Sequence, residues 1–417
     1  MRETGKVLAG QALTFSLQLA LMLLAARVLG PLGQGEFAIL RTAAYLGESF
    51  LWLGLASGLT YLVAKDSARY HDPLLKASLG YLALAIVGIA VGLELVPQGS
   101  IGRGGLKVIL DHRAALVWWL ISLALLQSLQ RVFLGQHRFA LYNRLNIMNG
   151  VVVFPLLLAL THARGVSVAA VVEASILANA MTLAYAIWVH RAQLVPLFHS
   201  TSPMLPVMRE AYAVGLKGYI SAIAFLVLYR LDFFFVAYFL GSQLLGVYTV
   251  AVFGIETVQK VPDWLGVILA PQVASGRGAD GRLVRRYAAA AIGSVGVLGV
   301  LIAGCRRWES GWFRFLLGEG YEGVTAALVL LLPKALLHAV MATYAGYLAG
   351  RGYTIYHPLA GVAGLATLCA IDLVAIPRYG LPGAVAGITA AYLVATLVMA
   401  WGYVQERRSA LAPALGS

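Results

Sequence analysis

Charge is what this sequence has least of. Only 12% of its 417 residues are Asp, Glu, Lys or Arg, about half the share usual in a soluble domain. With 60% hydrophobic residues, there is too little polar surface to coat a water-soluble particle. The outer face must therefore be solvated by lipid. Acids are scarcer still, 18 against 31 Lys and Arg, for a net charge of +13. That excess falls between apolar runs, as topology signals do, and forms no aromatic-interleaved patch, which argues against a nucleic-acid partner. The two cysteines, Cys305 and Cys369, lie in different segments and suggest neither a disulfide framework nor a zinc site. No P-loop, Rossmann fingerprint, HExxH or GxSxG elbow occurs, and Gly102-x-Gly104-Gly105 is a loop cluster. The longest outer loops, about 16–19 residues, are too short to house a membrane-bound polymerase site. Neither catalysis nor a cofactor is expected.

What the chain does have is long apolar runs. A crossing needs about 20 residues, because the hydrocarbon is about 30 Å thick and a helix rises 1.5 Å per residue. Twelve segments meet that length, near 5–29, 36–64, 76–96, 114–135, 139–161 and 167–189, then 210–240, 244–274, 284–304, 323–348, 357–376 and 382–404. The first, although preceded by Arg2 and Lys6, is too long for a signal-peptide core and reads as a mature helix. Alternate connections, from Arg2 and Lys6 through Arg285 and Arg286 to Arg407 and Arg408, carry about twice the Lys and Arg of the opposite set. Both termini are thereby expected on the cytoplasmic side, in a cytoplasmic (inner) membrane.

The chain also repeats itself. Leu29-Gly30-Pro31-Leu32-Gly33-Gln34-Gly35-Glu36-Phe37 matches Leu240-Gly241-Ser242-Gln243-Leu244-Leu245-Gly246-Val247-Tyr248 at a constant offset, and Trp52-Leu53-Gly54 answers Trp264-Leu265-Gly266. Six spans per half gives two parallel repeats, residues 1–200 and 201–417. Transporters built this way hold their substrate between the halves.

Ala26-Arg27-Val28-Leu29-Gly30-Pro31, with Gly33, Gly35, Glu36 and Phe37, resembles the opening of the Wzx-type polysaccharide-export flippases. Those belong to the multidrug/oligosaccharidyl-lipid/polysaccharide (MOP) exporter superfamily. Arg230-Leu231-Asp232 through Gly241, Gly246 and Tyr248, with Pro271, is similar to the same family's helix 7–8 hairpin. The resemblance implies an all-α integral membrane fold of two six-helix lobes, V-shaped and rocking by alternating access. It implies a lipid-linked oligosaccharide cargo on an undecaprenyl-type pyrophosphate, contact with membrane lipids, and glycan polymerases or glycosyltransferases as partners. Related lipid II flippases have fourteen helices and arginines deep in helix 1. Here helix 1 offers only Gln11, Thr14, Ser16 and Gln18 in its interior, which disfavours a peptidoglycan precursor.

Ionisable groups in hydrocarbon cost about 2.5–3.5 kcal/mol on insertion scales and so face protein or water. Arg41, Tyr45, Glu48 and Trp52 share one helical face, and so do Glu256, Gln259, Lys260 and Asp263. The repeat offset lays the two faces over one another, and it also aligns Gln127 with His338, one turn after Lys334. Arg41, Lys217, Lys260 and Lys334 are expected to compensate a pyrophosphate. Tyr45, Trp52, Gln259, Trp264 and Trp119 offer sugar contacts, and Glu48, Glu256 and Asp263 offer coupling to protons or sodium. Against this stands a plain Glu256–Lys260 pair at i, i+4. Arg230 reads either as a snorkelling side chain or as a substrate contact, Glu173 and Asp372 as isolated acids in lobe packing, and His338 as a packed histidine rather than a proton relay. The Arg144, Asn143, Asn146 and Asn149 group reads as interfacial. The expected function is flipping of a lipid-linked oligosaccharide. A MATE-like ion-coupled exporter of small cationic compounds, or a non-transporting scaffold of a glycan assembly complex, are the alternatives.

Overall fold

The structure is a computed structural model and describes residues 2–97, 102, 104–194, 204–276, 281–305, 314–352 and 355–411. Among these no strand occurs. The helices are α1 (Arg2–Trp52), α2 (Leu55–Lys65), α3 (Ser67–Leu95), α4 (Gly105–Asp111), α5 (Arg113–Gly135), α6 (Phe139–Arg164) and α7 (Val168–Leu194). There follow α8 (Met204–Leu228), α9 (Leu231–Ala274), α10 (Arg282–Cys305), α11 (Val324–Gly350), α12 (Tyr356–Tyr379) and α13 (Leu381–Leu411). A membrane leaves no alternative for such runs, since backbone polar groups must be satisfied within the segment.

Among the described residues nine helices are long and apolar enough to cross a membrane, and ten if the bent pair Val324–Leu330 and Leu332–Gly350 forms one span. Two of them are too long for a single crossing: Ala12–Trp52 has 41 residues and Gly218–Ala274 has 57. Each is interrupted by a glycine that is not helical, Gly30 (φ 66°, ψ 178°) and Gly241 (φ 84°, ψ 170°). Dividing the two runs there turns ten crossings into twelve, the number read from the sequence. The 42° bend in α11 falls just before Pro333, which has no N–H for the preceding turn.

Gly30 and Gly241 are the aligned glycines of the sequence repeat. Both occupy a region of φ/ψ space open essentially to glycine alone, so the repeat is one of backbone geometry as well as of letters. The second segment departs from the sequence reading. It breaks at Leu53 (φ 44°) and Gly54 (φ 86°) into the second arm of α1 and the separate helix α2. The short α4, in the loop after α3, was also not foreseen.

The chain divides into two compact units, Met1–Ile223 and Ala224–Ser417, with the division inside α8. Within the first unit, the start of α8 packs on α2 and α3 through small residues. A methyl group at Gly58 would overlap the Ala211 carbonyl, and one at Gly215 would overlap that of Gly54. Such residues let backbones approach where no hydrophobic force drives helices together in lipid. A polar latch sits beside the crossing: the Tyr70 hydroxyl donates to Glu210 at 2.7 Å, with Arg69 3.7 Å from the same carboxylate. Within the second unit α9 and α11 cross in the same manner, Gly346 against the Gly266 carbonyl and Gly350 against that of Ala270.

Candidate functional site

Both arms of α1, with α5, α6 and α7, surround a cavity of about 160 Å³ inside the first unit. A cavity of about 150 Å³ holds benzene, so this one has room for roughly one six-membered ring. Helical spacing builds its wall. Thr14 and Gln18 lie one turn apart on the first arm, Phe37, Arg41 and Tyr45 on the second. On α5 the lining residues are Trp119, Leu123, Leu126, Gln127 and Gln130, and on α6 they are Asn146, Asn149, Gly150 and Val153. Ser175 and Asn179 of α7 complete it.

The lining is polar but almost without charge. Arg41 is its one charged residue among those described, and no carboxylate contributes. The Arg41 guanidinium lies over the Tyr45 ring, 5.8 Å from its centroid, and Trp119 stacks on Phe37 at 6.0 Å. Two hydrogen-bonded chains run through the wall. In one, Asn149 Nδ2 donates to Asn179 Oδ1 at 2.8 Å, Asn179 Nδ2 to Ser122 Oγ at 3.1 Å, and Ser122 Oγ to the Trp119 carbonyl at 2.9 Å. In the other, Gln130 Nε2 donates to Asn146 Oδ1 at 3.3 Å and Asn146 Nδ2 to the Tyr142 carbonyl at 3.0 Å.

The first polar stripe is thus divided. Arg41 and Tyr45 line the cavity, whereas Glu48 and Trp52, one and two turns on, are buried outside its lining. Glu48 faces the charge of Arg131 on α5. Lys217 is in α8, but its side chain lies outside the described residues, as does that of Gln11.

The other stripe belongs to the second unit, where charges meet opposite charges. Glu256 lies within electrostatic reach of Lys260, but its closest contacts are elsewhere. It takes both guanidinium nitrogens of Arg230, at 2.5 and 3.1 Å. Arg230 therefore does not snorkel but forms a largely buried, two-pronged ion pair. Lys260 lies 3.6 Å from Asp263, whose other oxygen is 2.7 Å from His338 Nε2, so His338 is more than a packed ring. Gln259 is buried, with Nε2 unpartnered. Lys334, 3% exposed, sits 4.9 Å above the Tyr392 ring. Trp264 is half-buried. Asp232 is buried too, accepting from the Tyr248 hydroxyl at 2.7 Å and the Phe233 amide at 2.9 Å.

The two isolated acids part company. Glu173 is not isolated: it binds Arg164 at 2.5 Å on an exposed surface, joining α7 to the end of α6. Asp372 is fully buried on α12 with both carboxylate oxygens unpartnered, in a space kept open by Gly387 of α13. It lies within electrostatic reach of Asp232.

Sequence reasoning missed the amides. Asn146 and Asn149, read as interfacial, face the cavity, and Gln130 and Asn179 had not been singled out. The signal was present: 146, 149, 150 and 153 mark one face of α6, and 175 and 179 one face of α7. Attention to ionisable groups passed over neutral ones, although an amide in hydrocarbon also needs partners.

Comparison with known proteins agrees with this architecture. The sequence profile described as "Polysaccharide biosynthesis protein" matches residues 1–259. No curated protein sequence matches the chain. Among solved structures, the fold is similar to a lipid II flippase, MurJ, in an inward closed conformation, with TM-score 0.73 and 13% identity over 95% of this chain and 87% of that one. It is similar to an inward-facing multidrug resistance MATE transporter of the MOP superfamily, with TM-score 0.65 and 15% identity over 95% and 96% of the two chains. A eukaryotic MATE transporter gives 0.63 at 16% identity, covering 98% of each. The helix-on-helix membrane architecture, the repeated glycine breaks and the profile together place the chain in the polysaccharide biosynthesis protein family, with the fold of the MOP exporters.

Proposed function

We propose that this protein flips a lipid-linked saccharide, on an undecaprenyl-type pyrophosphate, from the cytoplasmic to the outer leaflet of an inner membrane by alternating access. The observation that carries the reading is the cavity wall of neutral amides, aromatic faces and, among the described residues, a single arginine and no carboxylate. Sugars need hydrogen-bonding groups and flat apolar surfaces, and a pyrophosphate needs a cation. A small cationic drug, the cargo of the MATE-like alternative, would meet Arg41 and no counter-charge. Family membership points the same way. Room for about one ring means that the terminal sugar enters while the polyprenyl tail stays outside.

In this reading Lys217 of the first unit, and Lys260 and Lys334 of the second, are the basic residues available to the anionic headgroup, with Gln259 and Trp52 among the candidate sugar contacts. Glu48, Glu256 and Asp263 balance their charge. The buried Asp372, whose carboxylate oxygens both lack a partner, takes up the proton or sodium ion that drives the cycle, since an unpartnered carboxylate in hydrocarbon is stable only when neutralised. The charge bias of the loops supports a cytoplasmic location for both termini, on the side where glycosyltransferases would make the cargo. The test is reconstitution into vesicles with a fluorescent polyprenyl-pyrophosphate hexose and measurement of leaflet exchange by quenching. Exchange above protein-free vesicles, lost in Arg41→Gln, supports the reading. No exchange of that lipid, with uptake of a small organic cation instead, would replace it by the MATE-like one.

A further inference from the structure

The two amide chains in the cavity wall do more than hold helices together. Each is anchored at a group whose hydrogen-bonding sense is already settled, and that settles every amide upstream. The Ser122 hydroxyl spends its proton on the Trp119 carbonyl at 2.9 Å, so towards Asn179 it can only accept. The Asn179 amino group therefore turns to Ser122 and its carbonyl oxygen to Asn149. Asn149 must then commit its amino group to Asn179, and Asn149 Oδ1 is left over. The second chain is anchored on the Tyr142 backbone carbonyl, which can only accept. Asn146 gives it the amino group, its Oδ1 takes the Gln130 amino group, and Gln130 Oε1 is left over. Two separate chains, one through α6, α7 and α5 and the other between α5 and α6, thus end in the same way. Each offers the cavity a carbonyl acceptor with its orientation locked.

From this we propose that Asn149 and Gln130 are the specificity-determining residues of a subsite for one neutral, hydroxyl-bearing ring, a sugar residue, read through its O–H donors. Ser122 acts as a positioning residue that never touches the ring. The proposal rests on the flippase reading and deepens it. Fixed acceptors repel the lone pairs of a phosphate and leave an ether or methylated sugar oxygen without a partner. Gln18 and Gln127, which make no hydrogen bond among the described residues and line the same space, remain adaptable and set no such demand. A carbonyl left unpaired on losing its donor costs about tenfold in affinity or more, so the wall discriminates by penalty and not by attraction alone.

The experiment compares three fluorescent lipids in vesicles holding the full-length protein: a polyprenyl-pyrophosphate hexose, its O-methylated counterpart and the bare polyprenyl pyrophosphate. Wild type is expected to move the hexose lipid at least about tenfold faster than the methylated one. Ser122→Ala frees Asn179, and with it Asn149, to turn over. The discrimination should then fall to within about twofold while exchange of the bare lipid is unchanged, and Ser122→Thr, which keeps a hydroxyl, should restore it. Discrimination undiminished in Ser122→Ala, or absent in wild type, overturns the subsite while leaving the flippase reading intact. Failure of wild type to move any of the three lipids overturns both. Thermal unfolding of each variant in detergent, expected within about 2 °C of wild type, separates reorientation of the amides from loss of fold.

Discussion

Alanine at Gly30 and at Gly241 isolates the backbone from the packing. Neither glycine has a heavy atom within 4 Å of where a Cβ would sit, so a methyl group there meets nothing. What it does meet is the dihedral constraint. At φ 66°, ψ 178° and φ 84°, ψ 170° an L-residue is strained by about 3 kcal/mol, the upper end for such conformations. Against this, alanine restricts the unfolded chain and returns about 0.4–1 kcal/mol. The net expectation is a loss of about 2 kcal/mol at each site, close to equal because the two conformations are alike. The losses should be nearly additive in the double variant, since each glycine lies in its own unit. Gly80 supplies the control: it too has nothing within 4 Å, but it sits in the regular helix α3. Gly80→Ala should therefore stabilise, by about 0.5–1 kcal/mol. Reversible unfolding in mixed micelles, followed by circular dichroism, reads all four variants. Gly30→Ala or Gly241→Ala moving in the same direction as Gly80→Ala would refute the claim that the two halves share a glycine-only break.

Other perturbations follow from the same geometry. Arg230→Gln leaves Glu256 buried without its partner and should cost about 3–5 kcal/mol, whereas Arg230→Met with Glu256→Leu should recover most of it; unfolding midpoints would show the reverse order if the pair were solvated. Gly58→Ala and Gly215→Ala force apart backbones in near contact and should lose several kcal/mol, about that of severe core overpacking. A disulfide crosslink between cysteines placed on α2 and α8 should form more slowly in both, and an unchanged rate would contradict the close crossing. Asp372→Asn removes a buried charge without changing shape, so stability should hold or rise while the ion dependence of transport disappears. Persistence of that dependence would remove Asp372 from coupling.

Much of the fold was legible in the sequence because lipid imposes a simple rule: apolar runs of sufficient length cross. The repeat was legible too, since Gly30 and Gly241 are demanded by dihedral angles that other residues avoid. The break at Leu53 was not, because leucine gives no sign that it will adopt φ 44°; tertiary packing of α2 against the start of α8 decides it. Arg41, Tyr45, Trp119 and Gln127 do line the cavity, but spacing alone could not say that Glu48 and Trp52 lie beyond its rim. Helical periodicity groups residues by face without telling how far a pocket extends along that face. Nor could it foresee that Glu256 would take both guanidinium nitrogens of Arg230, which the turn at Tyr229–Arg230 between α8 and α9 brings to it. Buried asparagines and glutamines carry no charge pattern, and their roles emerge only when hydrogen-bond directions can be followed.

The most direct test of the account is to find where the sugar sits. A polyprenyl-pyrophosphate hexose bearing a diazirine on the ring would be photolysed in vesicles containing the protein, and the labelled peptides mapped by mass spectrometry. The account predicts labelling within residues 113–135, 139–164 and 168–194, the segments of α5, α6 and α7, abolished by excess unlabelled hexose lipid. Competed labelling confined to the second unit, with these three helices untouched, would contradict it.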